Sequence, residues 1–450
     1  MPLHINLHLH TGSRTSAGAF LYIKMKYANI LVSLSAVLCM PMTYAQAFGA
    51  NRIYSTEIRT LQTTVDNDWL STPVVSLDKI LSGENSIVIS FDEMSHDYRR
   101  LIYHIERCEA DWQPSTELFE SDWLEGFNDT PIDDFNHSIN TTVLYTNYRL
   151  TLPNDRCRLK MSGNYRVIIY DEDAPDTKLA EAEFMVVDNT ARLYVDATTN
   201  TDIDVNKCHQ QLSMRLDYIN LNVTDPSEQL ITVVRQNNRD DNMRWNIKPD
   251  ITTTNGLIWQ HNRQLIFEGG NEYHKYEMLD LSHPTMGIDH ISWNGTTFDV
   301  YPFVSEPRLN YSYDEGADGA FCIRNSEYTE SDYTCDYAWV HYTLHTGGRI
   351  GDIIINGWWT TDNDKNTYIM EYDDKDASYH LSLLQKQGYY SYQFLQIKPD
   401  GHLSIPESEG NFHETSNTYQ ALTYYRPQGG RTWLLAAYSE FTFPLISERH

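Results

Sequence analysis

Cysteine is scarce, with six in 450 residues. One, Cys39, lies near the start; the others are Cys108, Cys157, Cys208, Cys322 and Cys335, an odd set that cannot close into a complete disulfide framework within one chain. No Cys-x-x-Cys occurs and zinc-ribbon spacing is missing, so buried, inert thiols are the expectation, with a bridge between Cys322 and Cys335 as the alternative. Positive charge is also in short supply: 34 Lys and Arg stand against 62 Asp and Glu, a formal charge of −28. Such a field repels phosphate, which makes nucleic acid and anionic membrane surfaces poor partners. Beyond the N-terminal region no apolar run approaches the ~20 residues that cross a bilayer, so direct membrane insertion is not expected. The sequence has no GxSxG elbow, no HExxH, no phosphate-binding P-loop and no GxGxxG. Long amphipathic helical patterns are missing as well.

What is present is aromatic and strand-like. Hydrophobic residues make up 41% of the chain, which argues against disorder, and tyrosine dominates the aromatics with 31 residues against 15 Phe and 10 Trp. Rings with a polar tip suit half-wet sheet faces. Alternation with period two runs through QLSMRLDY, where Leu212, Met214, Leu216 and Tyr218 share a face, and through YYSYQFLQI, where Tyr390, Tyr392 and Phe394 do. Further strand candidates are SIVISF, YRVIIYDED, EFMVV, ITVVRQ, QLIFEGG, TFDVYPF, YAWVHYTL and WLLAAYSEF, many ending in Asn, Gly, Asp or Pro. The class implied is all-β: immunoglobulin-like or early-set sandwiches in tandem.

At the N-terminus, Lys24, Met25 and Lys26 precede ILVSLSAVLCMPM and then Thr43-Tyr44-Ala45, the basic, apolar and small-residue regions of a secretory signal peptide. Residues 1–45 therefore read as a leader whose natural start is Met25, with cleavage before Gln46. The upstream HINLHLH is a poor metal site, and Leu38 disfavours acylation of Cys39. Interruptions at Asp188-Asn189-Thr190 and across Ser305–Gly319 divide the remainder into expected sandwiches at 51–188, 190–305 and 318–450.

His341 and His345 share a strand face but lack a third ligand. Asp362, Asp364, Asn366 and Asp373 fall at calcium-loop positions, yet Thr367 stands where that loop needs glycine, and a polar turn is expected instead. Asp171-Glu172-Asp173 reads as a solvated turn. In CEADWQPSTELFESDWLEGFND, the run LIYHIERC puts Leu101, Tyr103 and Ile105 on one face before a loop, and Trp112 and Trp123 read as packing anchors under that loop. No catalytic, metal-binding or cofactor-binding residue is assigned.

Six stretches carry a family resemblance: ADWQPS (Ala110 to Ser115), SINTTVLYTNYRLTLPN (Ser138 to Asn154), SGNYRV (Ser162 to Val167), FEGGNEY (Phe267 to Tyr273), DYAWVHYTL (Asp336 to Leu344) and LLQKQGYYSYQF (Leu383 to Phe394). Together, from about Asn51 onward, the chain resembles the plug protein family of the Bacteroidota type IX secretion system. It departs from the pattern at Asn147, where a histidine is expected, and at Glu109, where Asn or Asp is. The resemblance implies a non-enzymatic periplasmic subunit that occludes the periplasmic opening of an outer-membrane translocon barrel, that barrel being its partner. A second likeness supports a different class. GDIIINGWWTTDN with the strands after it is similar to starch-binding early-set modules, which would make Trp358 and Trp359 sugar platforms in an exported glycan-binding protein.

Overall fold

The computed structural model describes residues 51–327 and 330–444. The leader, with Met25, Cys39 and the cleavage motif at Thr43-Tyr44-Ala45, lies outside the described residues. Strands dominate, and the expected all-β class of tandem sandwiches is what forms.

The N-terminal sandwich packs two sheets. One runs Arg52–Ile53, Ala174–Val187, Gly163–Asp171, Leu101–Cys108 and Thr130–Pro131, with Val74–Ser76 added in parallel to Ala174–Val187. The other runs Ile58–Val65, Ile87–Glu93, Thr146–Leu152 and Asp134–His137. Alternation decides which side chains meet between them: Tyr165, Val167 and Ile169 from one strand face Ile87, Ile89 and Phe91 from another, all fully buried. Each such side chain removed from water contributes about 1.5–3 kcal/mol.

The middle sandwich takes its first sheet from Arg192–Thr198, His209–Asp217, Gly256–Trp259 and Ile251–Thr253, with Ile266–Glu268 also paired to His209–Asp217. Its second sheet joins Arg244–Trp245 and Leu230–Gln236 to Asn417–Tyr425 and Leu434–Phe443. The last two strands of the described chain thus complete a sandwich begun two hundred positions earlier, with Leu230 opposite Tyr425 and Gln236 opposite Tyr419.

The third sandwich lies between these halves in sequence. One sheet centres on Gly388–Ile397, flanked by His274–Glu277, Phe321–Ile323, Asp352–Asn356 and Leu403–Ser404. The other runs Ile288–Trp293, Phe298–Pro302, Tyr337–His345, Ser378–Lys386 and Glu371–Asp373. It is an insertion into the middle sandwich, so sheet membership differs from the contiguous division at 190–305 and 318–450. Strand patterning shows that a segment pairs but not with which distant edge. Ser305–Gly319 is accordingly a loop inside the third sandwich, tied down where Arg308 bonds the Glu272 carbonyl at 2.6 Å and Tyr311 bonds Glu272 Oε1 at 2.7 Å.

Local departures have local causes. QLIFEGG gives only the short strand Ile266–Glu268, because Asn262 caps a 3-10 turn over Arg263–Leu265. In Gly388–Ile397 the residues Gly388–Leu395 are buried on both faces, so the strand shows no solvent side despite its alternation.

Candidate functional site

The sandwiches meet along seams built from buried polar groups. Between the N-terminal and third sandwiches, Asp92 on Ile87–Glu93 receives Lys386 Nζ at 2.6 Å, Tyr337 OH at 2.6 Å and Asn147 Nδ2 at 2.8 Å. The Lys386 ammonium also lies 4.2 Å from the centre of the Tyr145 ring and donates to the Asp332 carbonyl at 2.6 Å. Burial pushes the Asp92 carboxyl upward, and Lys386, Tyr337 and Asn147 oppose that shift. Nearby, the Asp336 carboxylate accepts from the backbone N–H of Thr142 and of Val143, and Tyr145 OH donates to the Cys335 carbonyl at 2.6 Å. A backbone bridge adds Ile53 N–H to the Thr361 carbonyl and Asn363 N–H to the Ile53 carbonyl, both at 2.8 Å.

The seam between the N-terminal and middle sandwiches is built on the loop after Leu101–Cys108. Trp112 sits at φ 61, a costly conformation for a bulky residue, and its carbonyl accepts from Arg166 Nη2 at 3.2 Å. The turn drives the indole into a cluster with Cys108, Ala110, Met185 and Val187 from one side and Val233, Leu422, Tyr424 and Leu435 from the other. Arg107, fully covered, bonds Ser115 Oγ, Thr432 Oγ1 and the carbonyls of Ser162 and Trp433. Glu109 accepts from Thr432 Oγ1 at 2.8 Å and Trp433 N–H at 2.9 Å, and Tyr424 OH bonds Asn164 Oδ1 at 2.9 Å.

Where the chain passes between the middle and third sandwiches, Gly269 lets it run close to the loop at Phe412. A Cβ there would lie 2.1 Å from the Phe412 carbonyl oxygen. Glu409 lies on the third-sandwich side, held by His274 Nε2 at 2.9 Å and by Arg308. Burial would raise its carboxyl, but His274 and Arg308 hold it below its ordinary value. Trp358 Nε1 donates to the Asn237 carbonyl at 3.2 Å and Thr418 Oγ1 to Asp318 at 2.8 Å.

An open cleft of about 350 Å³ lies along the second seam, lined by Glu109, Asp111, Glu117, Trp245, Arg426 and Arg431 among others. Its cations are engaged: Arg431 bonds the Glu117 carbonyl and Asp122, and Arg426 stacks on Trp433. No histidine, serine or cysteine is among its lining residues.

The candidates from sequence find places in this frame. Trp112 and Trp123 are both buried. Trp359 is 9% exposed, its Nε1 bonded to the Ser391 carbonyl and its ring set against Tyr342, Tyr368 and Tyr390. Trp358 is half-buried beside Ala317, Ala320 and Tyr389. The exposed coplanar pair a sugar platform needs is therefore not formed, because two neighbours on an irregular turn direct one ring into the core and the other into a seam. His341 is bonded to Ser382 and Asp299 and His345 to Ser378, separate structural contacts. Asp364 caps a 3-10 turn through Asn366 N–H, Asp362 receives Tyr368 OH, and Asp373 closes a turn through Lys375 N–H, so these acids act locally. Cys322 and Cys335 are free thiols. Sequence reading passed over Asp204, Cys208 and His209, which the structure brings together; a signal existed in three ligand-type residues within six positions.

The model for the type 9 secretion system plug protein 1st domain matches residues 58–188. A solved structure, a hypothetical protein from Parabacteroides merdae, is 35% identical and covers 88% of this chain and 100% of its own, with a TM-score of 0.83. The chain belongs to the type 9 secretion system plug protein family. A BSP domain of a biofilm-associated protein aligns at 7% identity over 90% of this chain and 61% of that one, with a TM-score of 0.15 that carries no argument. No curated protein matches. Family membership ties the chain to type IX secretion. In this plug-family chain all six stretches that carry the resemblance lie at seams: Trp112, Thr142, Asn164, Gly269, Tyr337 and Lys386 each come from a different one. Both departures are absorbed there too, Asn147 on Asp92 and Glu109 on Trp433.

Proposed function

We propose that this chain is a non-enzymatic periplasmic subunit that binds and occludes the periplasmic opening of the outer-membrane type IX translocon. One observation carries the reading beyond family membership: every pair of sandwiches is joined by buried or part-buried hydrogen bonds, and the third is threaded through the middle one. A cover for a pore wide enough to pass folded cargo must not flex open, and interlocked sandwiches resist hinge motion where flexible linkers would permit it. Reversible closure favours a polar interface of at least ~1,000 Å² over a greasy obligate one, which suits a chain with a formal charge of −28.

Affinity purification from an envelope extract tests the reading. The translocon barrel should be recovered with the chain, in amounts that fall as salt is added because rim charges are screened beyond ~8 Å at physiological ionic strength. Loss of the gene should raise permeability to large solutes when the pore is idle. No recovered barrel together with unchanged permeability refutes the role.

A further inference from the structure

The loop that enters His209–Asp217 gathers three chemically different donors at one point. Asp204 Oδ2 lies 2.7 Å from His209 Nδ1 and 3.4 Å from Cys208 Sγ, and Cys208 Sγ lies 3.3 Å from that same Nδ1. All three side chains are partly covered. Other hydrogen bonds also shape the loop: Thr201 Oγ1 donates to the Asp204 carbonyl at 2.8 Å and accepts from Asp204 N–H at 3.0 Å, and Thr199 Oγ1 bonds Asn206 at 2.6 Å. Gly269 N–H bonds the Cys208 carbonyl at 2.8 Å, and His209 is paired with Glu268 across the sheet. The backbone beneath the cluster is therefore fixed.

Two chemistries use cysteine, histidine and aspartate together. A nucleophilic relay needs the thiol on one ring nitrogen and the carboxylate on the other, so that the imidazole passes a proton between them. Here both groups converge on Nδ1, which cannot serve as a relay. Convergence on a common point is the arrangement of a chelate. Tetrahedral zinc, with Zn–S about 2.3 Å and Zn–N and Zn–O about 2.0–2.2 Å, sets donor separations of about 3.4 Å for N···O and about 3.6 Å for the pairs with sulfur. The two sulfur separations are already within about 0.3 Å of those values; only the Asp204–His209 pair must open, by about the difference between a hydrogen bond and a shared ligand edge. We propose that Asp204, Cys208 and His209 form a binding site for a zinc-class dication, with water in the fourth position. The thiolate and imidazole select a borderline-soft metal over calcium or magnesium, which take oxygen donors.

The test uses the full purified chain, stripped with chelator and dialysed anaerobically against zinc ion alone. One zinc per chain should be retained, and alkylation of Cys208, mapped by mass spectrometry, should slow at least tenfold, while Cys322 reacts as before. Calcium should give no protection. Cobalt in place of zinc should show thiolate-to-metal charge transfer in the near ultraviolet. Cys208→Ala and His209→Ala, each checked for an unchanged sheet signal by circular dichroism, should lose the bound metal. Zinc retained equally by the variants overturns the site, and so does Cys208 alkylated at one rate with and without zinc.

Discussion

Lys386 Nζ lies 2.6 Å from Asp92 Oδ2, with 1% and 0% of the two side chains exposed, and the pair joins residues from different sandwiches. Removing one partner of a buried pair costs about 3–5 kcal/mol because the other charge is left uncompensated, whereas apolar replacement of both is often near neutral. Lys386→Met should lower the unfolding free energy obtained by urea titration by that amount, and Asp92→Leu with Lys386→Met should recover at least half of the loss. A double variant as unstable as the sum of the singles would refute the pairing.

Glu409 supplies a pH dependence of known sign. Its folded value is depressed below the ordinary 4.5, so its contribution is full above 4.5 and is lost as pH falls through the folded value. The stability gap between the natural chain and Glu409→Gln should be wide at pH 7 and should narrow on acidification below about 4.5. A gap independent of pH across that range would contradict the assignment to His274 and Arg308.

Trp359 is held as a core residue, so Trp359→Ala should cost about 3–5 kcal/mol. Trp358→Ala, at a half-buried ring, should cost less. Neither change should alter retention on an α-glucan column, since the natural chain is expected to show none. Retention that disappears in these variants would restore the sugar-platform reading.

Gly269→Ala should destabilise by about 1–3 kcal/mol through overpacking against backbone, which cannot move aside as a side chain end can. Thermal unfolding at matched concentration measures it. An unchanged midpoint would show that the crossing between sandwiches is slacker than the structure indicates.

The strands themselves were legible because alternation is a local property: SIVISF, YRVIIYDED, QLSMRLDY, ITVVRQ, YAWVHYTL and WLLAAYSEF each coincide, but for an end residue or two, with a strand of the structure. Their partners were not, since Leu230–Gln236 carries no mark that says it will pair with Asn417–Tyr425. The seams were hidden for a related reason. Asp92 and Lys386 each look like an ordinary surface charge until the fold brings them together. Trp358 and Trp359 looked like a platform because adjacency in sequence was read as adjacency of exposed faces. Asp204, Cys208 and His209 lie within six residues but match no metal-motif spacing, and only the turn before His209–Asp217 brings their donor atoms together.

The insertion of the third sandwich has a consequence for the order in which the molecule can be made. Synthesis runs from the N-terminus, so Leu230–Gln236 emerges long before Asn417–Tyr425, while the inserted sandwich can close on itself in the interval. The middle sandwich is therefore the last to finish, and its waiting edge is open to wrong partners until the final strands arrive. Loss of Asn417–Tyr425 and Leu434–Phe443 would remove more than an edge, since it would leave Leu193, Leu216 and Trp259 facing water. The late strands thus close the middle of the body rather than trim its edge.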